Sequence, residues 1–164
     1  MGNTGMIRIL FICHGSICRS PMAEFIMKQL VREAGLEDRF RIASAAASRE
    51  EIGNDIYPPA KRVLSAHGIP YGRHPARQIT AQDVKENDLI VAMEEYNLRY
   101  MRRGLGSVYE KNAGKFHLLM DFTARPGEVS DPWYTGDFET AYRDIDEGCR
   151  GLLAQLSREE EDRG

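Results

Sequence analysis

The sequence predicts a single α/β domain, a parallel sheet with helices on both faces. Three observations carry this. Short apolar runs alternate with segments of helical periodicity along the chain, the pattern of a doubly covered sheet. The clearest runs, Ile9-Leu10-Phe11-Ile12 and Leu89-Ile90-Val91-Ala92, are unbroken, as strands buried on both faces are. The length, 164 residues, suits one domain with a sizeable core.

Residues 7–12 read as the first strand, followed by a glycine-containing loop. Met22, Phe25, Ile26, Leu30 and Val31 then recur at helical spacing. Pro21 stands in the first turn, where its missing N–H costs nothing, and Gly35 closes the helix. Residues 40–45 form a second strand, and a helix over Pro58–Ala66 ends at Gly68. Thr80 followed by Asp83 is a capping box that opens a short helix. Residues 89–92 are the third strand, 95–102 a helix, and 116–119 a fourth strand with a weaker signal. Phe138, Ala141, Tyr142, Ile145, Cys149, Leu152 and Leu153 make one stripe of a long final helix. The domain spans 1–164, with 1–6 a flexible lead and the charged run from about 157 to 164 a frayed acidic tail.

Composition excludes several classes. Net charge is −3 and no long Lys/Arg block exists, which argues against a nucleic-acid partner. No apolar run approaches a membrane span, and no signal-peptide pattern opens the chain, so no membrane partner is expected. Met1-Gly2 loosely suggests myristoylation, but Met6 stands where Ser or Thr is needed. Three cysteines, two of them in one loop, do not form a disulfide framework; a reducing, cytoplasmic location follows.

The chemistry lies in Cys13-His14-Gly15-Ser16-Ile17-Cys18-Arg19-Ser20, between the first strand and its helix. A guanidinium grips oxygens through a rigid fork of donors. Loop and helix-start N–H groups serve the same anion. That positive setting lowers a cysteine pKa, so Cys13 faces bound phosphate as a thiolate. A turn with two buried packing thiols, or half a metal site, uses only part of this pattern. A phosphatase passing through phosphocysteine uses all of it. The leaving group needs a proton donor from elsewhere, and Asp131, fixed by Pro132, is the candidate. Trp133 and Tyr134 wall a pocket deep enough for an aromatic ring. The scheme requires no metal and no cofactor, and no Cys-x2-Cys pair suggests one.

Several separated stretches, in order, resemble the low-molecular-weight protein tyrosine phosphatase family. They are the loop from Cys13 to Pro21, Ser44, Ala76-Arg77-Gln78-Ile79-Thr80, Met93-Glu94-Glu95-Tyr96-Asn97, Asp131-Pro132-Trp133 and Asp137-Phe138-Glu139. The resemblance implies a four-stranded parallel sheet and hydrolysis of phosphotyrosine on proteins, and of small aryl phosphates, releasing inorganic phosphate. It implies that Asp131 acts first as acid and then as base. It places Ser20, Ser44 and His74 in a hydrogen-bond network bracing the loop. It implies Glu50 at a pocket wall where relatives often carry an aromatic residue, with His14 and Ile17 at the mouth. A carboxylate there disfavours acidic residues flanking the phosphotyrosine. Cys18 is close enough in sequence for a reversible disulfide with Cys13. Ser16 stands where the family usually has Asn, which is more comfortable in left-handed backbone, so a less preorganised loop is expected. A monomer is expected.

Three rivals remain at this stage. Protein-arginine phosphatases resemble the chain but carry Thr where it has Ile17. Arsenate reductases of this fold relay a disulfide through a downstream cysteine pair, whereas this chain has Cys149 alone, on the apolar helix stripe. A non-catalytic phosphate-binding module would have no use for Asp131.

Overall fold

The computed structural model describes residues 5–163. Four strands, β1 (Ile7–Cys13), β2 (Phe40–Ala46), β3 (Leu89–Ala92) and β4 (Phe116–Leu118), form one parallel sheet in the order β2-β1-β3-β4. The helices are α1 (Arg19–Glu33), α2 (Pro58–Ala66), α3 (Ala81–Glu86), α4 (Glu95–Leu105), α5 (Ser107–Lys111), α6 (Pro132–Thr135) and α7 (Phe138–Arg163).

The unbroken apolar run of β1 is explained by its neighbours. Ile9 and Phe11 point into a core made with Met22, Ile26 and Met27 of α1, Leu64 of α2 and Ile145 and Leu152 of α7. Leu10 and Ile12 point the other way, against Val84 of α3, Met101 of α4 and Phe116. All four β1 side chains are fully buried, each burial contributing about 1.5–3 kcal/mol. Register is correspondingly firm, since a slip of one residue would exchange the two cores. Ile9 pairs with Ile42 on one side and Leu89 on the other.

The predicted fold class and the order of strands and helices are those observed. Three local differences have physical causes. The fourth strand stops at Leu118, because Leu119 and Met120 turn through a 3₁₀ segment to pack in the α1/α7 core. The helix behind β3 continues to Leu105 and is followed, after Gly106 at φ 56°, by the unanticipated α5. The tail expected to fray from about 157 is instead helical to Arg163. Glu160 pairs there with Arg39, and Gln155 donates to Glu159 at 3.2 Å. Of the expected lead, residues 1–4 lie outside the described residues. No described helix is long and apolar enough to cross a membrane.

Two glycines let α7 approach the 3₁₀ segment that follows β4. A Cβ at Gly151 would lie 2.0 Å from the Phe122 carbonyl oxygen, and one at Gly148 2.4 Å from Leu119 Cγ. Alanine in an open helix position is worth about 1 kcal/mol over glycine. At Gly151 the sign reverses, because a backbone carbonyl cannot yield. Gly151→Ala is expected to lower stability by about 1–3 kcal/mol in urea unfolding. Gly104→Ala in α4, with open space around it, should raise it; equal shifts for the two would refute this packing account.

Candidate active site

Strand β1 has β2 on one side and β3 on the other, so the strand order reverses at its carboxyl end. Sheets of this kind open a crevice at that point. The chain leaves β1 at Cys13, makes the loop 14–18, and enters α1 at Arg19.

Neighbouring backbone engages the loop's carbonyls. Ala47 N–H donates to the Cys13 carbonyl at 3.0 Å, and Tyr57 N–H to that of Ile17 at 2.8 Å. Ser48 donates twice to the His14 carbonyl, through its N–H at 3.0 Å and its hydroxyl at 2.9 Å. Carbonyls so occupied oppose a bound anion less. Gly15 is pressed against the next turn, where an added Cβ would meet Glu51 Cγ at 2.9 Å. Ser16 has φ 59°, in the left-handed region that a non-glycine residue enters at a cost. Its Oγ lies 2.8 Å from Ser20 Oγ. Ser20 in turn donates its N–H to Cys13 Sγ at 3.4 Å and holds its hydroxyl 3.4 Å from the same sulfur.

Arg19 is the other pole of the site. Only 2% exposed, its guanidinium donates to the Val129 carbonyl at 2.8 Å and to the Glu94 carboxylate, and lies 3.3 Å from Asp131 Oδ2. Burial alone would weaken its hold on the proton; the negative charges of Cys13, Asp131 and Glu94 outweigh that and push its pKa up. Asp131 precedes Pro132, the first residue of α6, and caps that helix by accepting the Trp133 N–H at 3.1 Å. The extended backbone that proline imposes on Asp131 turns its carboxylate toward Arg19.

Cys18 is buried beside this cluster. Burial first, then the charges of Cys13 and Asp131, push its pKa up to about 12. Cys149, on the buried stripe of α7, is raised by burial and is 3.7 Å from the Ala23 carbonyl.

Ser44 and His74 sit one remove from the loop. Ser44 donates to Glu24 at 2.6 Å, His74 Nε2 lies 2.6 Å from Ser44 Oγ, and Lys28 also reaches Glu24 at 2.6 Å. This buried knot ties α1 to β2 and reaches the loop through α1 rather than by direct contact. Its centre, Glu24, was not among the residues singled out from sequence. A carboxylate between Ala23 and Met27 on a buried helix face was the available signal, since such a charge needs partners.

The cleft over Cys13 is about 400 Å³. Glu50, Trp133 and Tyr134 line it, with Trp133 packed 5.0 Å from Tyr57 and Tyr134, 84% exposed, standing at the rim. Glu51, Glu94 and Tyr96 line it too and carried no site role in the sequence reading. The signal for Glu94 was its place directly after β3, at the sheet end that bears Cys13. Asn97 Oδ1 accepts the N–H groups of Met93 and Glu94, at 3.2 and 3.1 Å, and sets that turn.

A family model described as low molecular weight phosphotyrosine protein phosphatase matches residues 8–162. The chain is 37% identical over 158 residues to the low molecular weight protein-tyrosine-phosphatase YfkJ of Bacillus subtilis, covering 95% of this chain and 99% of that one. Against the human low molecular weight phosphotyrosine protein phosphatase it is 38% identical over 148 residues, covering 88% and 92%. The crystal structure of YfkJ superposes with a TM-score of 0.90, over 96% of this chain and 99% of that chain. A Drosophila arginine phosphatase superposes with a TM-score of 0.83 at 32% identity, over 92% and 98%.

The three thiols are expected to differ sharply in reactivity. At pH 7 the folded protein should take up one equivalent of iodoacetate, at Cys13, with inorganic phosphate protecting it. Cys18, protonated at that pH, and Cys149, sealed in the core, should stay unmodified. Peptide mass spectrometry locates the label; prior modification of Cys18 would contradict this ordering.

Proposed function

The chain belongs to the low molecular weight phosphotyrosine protein phosphatase family, and we propose that its tyrosine phosphatase activity runs through Cys13, Arg19 and Asp131. Phosphoproteins are its substrates and inorganic phosphate its product. The observation that carries the residue assignment is the meeting of these three groups in one cleft, with Arg19 holding Asp131 at 3.3 Å beside the buried Cys13 sulfur.

In this reading Cys13 Sγ attacks phosphorus while Arg19 binds the phosphoryl oxygens as their charge redistributes. Asp131, protonated, delivers its proton to the departing tyrosine oxygen. The phosphocysteine is then attacked by water, from which the now ionised Asp131 takes a proton, and phosphate leaves. The Ser20 N–H and hydroxyl support the sulfur as it becomes a leaving group. Glu50, Trp133 and Tyr134 serve as pocket residues, and Ser44 and His74 support the loop by anchoring α1. We place the protein in a reducing cytoplasm, a reading supported by the free state of Cys13, Cys18 and Cys149, and take it to act as a monomer.

Dephosphorylation of arginine is the second reading, since the Drosophila arginine phosphatase shares this fold. Ile17 argues for tyrosine. It is buried with Cys18 and Ala76 against Tyr57, and its bulk with the Trp133 face suits a flat ring better than a guanidino group.

Cys13→Ser is expected to abolish turnover of p-nitrophenyl phosphate. Asp131→Ala should slow hydrolysis of phenyl phosphate, whose leaving group is poor, by about 10²–10⁴-fold, and p-nitrophenyl phosphate far less. Equal slowing would remove Asp131 from the acid role. Assayed side by side, phosphotyrosine should be hydrolysed in preference to phosphoarginine; the reverse order would establish the second reading.

A further inference from the structure

A hydrogen-bonded pair at the cleft mouth is not used by the hydrolytic steps. His14 Nε2 lies 3.0 Å from Glu50 Oε2. The imidazole is held on its other side by α4, edge-on to Tyr100 at 5.2 Å and tilted over Tyr96 at 5.6 Å. The two main chains are fixed to each other, because Ser48 donates twice to the His14 carbonyl and its hydroxyl accepts the Glu50 N–H at 3.3 Å. Glu50's side chain is nevertheless 66% exposed, so rotation about its own bonds is enough to change partner.

Apart from His14 and the buried Arg19, the charged side chains around the cleft are carboxylates. Glu51, Glu94 and Asp131 line the same cleft. The lining guanidinium, Arg19, is buried and already shared between Glu94 and Asp131. A cationic side chain arriving beside the phosphate therefore meets carboxylate at the rim, and Glu50, paired there with His14, is more accessible than Glu94 or Asp131.

We propose that Glu50 is a specificity-determining residue that takes a lysine or arginine side chain neighbouring the phosphotyrosine, and that His14 is its resting partner, displaced as such a substrate docks. The inference rests on the tyrosine phosphatase reading and names its substrate class: phosphotyrosine segments with a basic residue one or two positions away. An acidic residue in that place meets Glu50 and Glu51 and is rejected.

The test compares kcat/KM for three phosphotyrosine peptides that differ only in a neighbouring Lys, Ala or Glu. The Lys peptide should exceed the Glu peptide by about tenfold at low ionic strength, and by less as salt screens the rim. Glu50→Gln should collapse that ratio. His14→Leu, which frees Glu50, should raise it and lower KM for the Lys peptide. A wild-type ratio near one, or a ratio unmoved in Glu50→Gln, overturns the role of Glu50. A ratio unmoved or lowered in His14→Leu overturns the displacement of His14. Turnover of p-nitrophenyl phosphate by the wild type is the separate check on the underlying reading: its absence would remove the phosphatase assignment itself, whatever the peptide ratios.

Discussion

A guanidinium with almost no solvent contact organises this molecule. A charge as buried as Arg19 is tolerated only when its donors are met, and here they are met by groups far apart in sequence. The Val129 carbonyl, Glu94 and Asp131 come from two segments that both meet the start of α1 at this guanidinium. The Val129 N–H joins those segments to each other, donating to the Met93 carbonyl at 3.0 Å. Satisfying Arg19 therefore draws the β3–α4 turn and the stretch before α6 over the phosphate loop. The same act assembles the cleft. Fold and chemistry share one constraint, because the group that must face phosphate is the group that gathers the walls.

The remaining precision comes from rigid elements on either side of the loop. β1 is fixed by full burial of four consecutive side chains in two opposed cores. α1 is fixed by its apolar face and by the Glu24–Ser44–His74 knot, which stops it sliding along β2. Between them the loop has little freedom, and the segment from 47 to 57 removes more by donating hydrogen bonds to its carbonyls. Positioning of this kind is what lets a thiol and a guanidinium act together without reorganising.

How far the sequence discloses this depends on the range of the interactions. Local signals read truly: the unbroken run of β1, and the Thr80–Asp83 box, in which Thr80 N–H donates to Asp83 at 2.8 Å and Asp83 N–H to Thr80 at 3.2 Å. The stripe of α7 is buried at Ala141, Ile145, Cys149 and Leu152 as its spacing requires. Features set by distant partners did not show. The places of Glu24 and Glu94, on an apolar helix face and just after β3, mark them out, but their partners on β2 and at Arg19 appear only once the chain is folded. α5 is five residues long and carries no periodic stripe. The acidic end of α7 reads as a frayed tail because its support, Arg39, is 121 positions away.

Ser16 shows how a locally unfavourable choice is absorbed. A non-glycine residue in left-handed backbone costs about 1–2 kcal/mol. That conformation puts the Ser16 hydroxyl 2.8 Å from the Ser20 hydroxyl. Each hydroxyl has one proton to give. If Ser20 directs its own toward Cys13 Sγ, its oxygen is left to accept, and Ser16 supplies the donor. The strained residue thus completes a chain from Ser16 through Ser20 to sulfur, with the Ser20 N–H as a second donor at the same atom. Asparagine at this position would enter the left-handed region at less cost and could donate through its amide, so the serine keeps the chain while giving up conformational ease. The enclosure of Ser16, with no exposed surface and the Ile17 carbonyl bound by Tyr57 next to it, is what holds the loop in that shape.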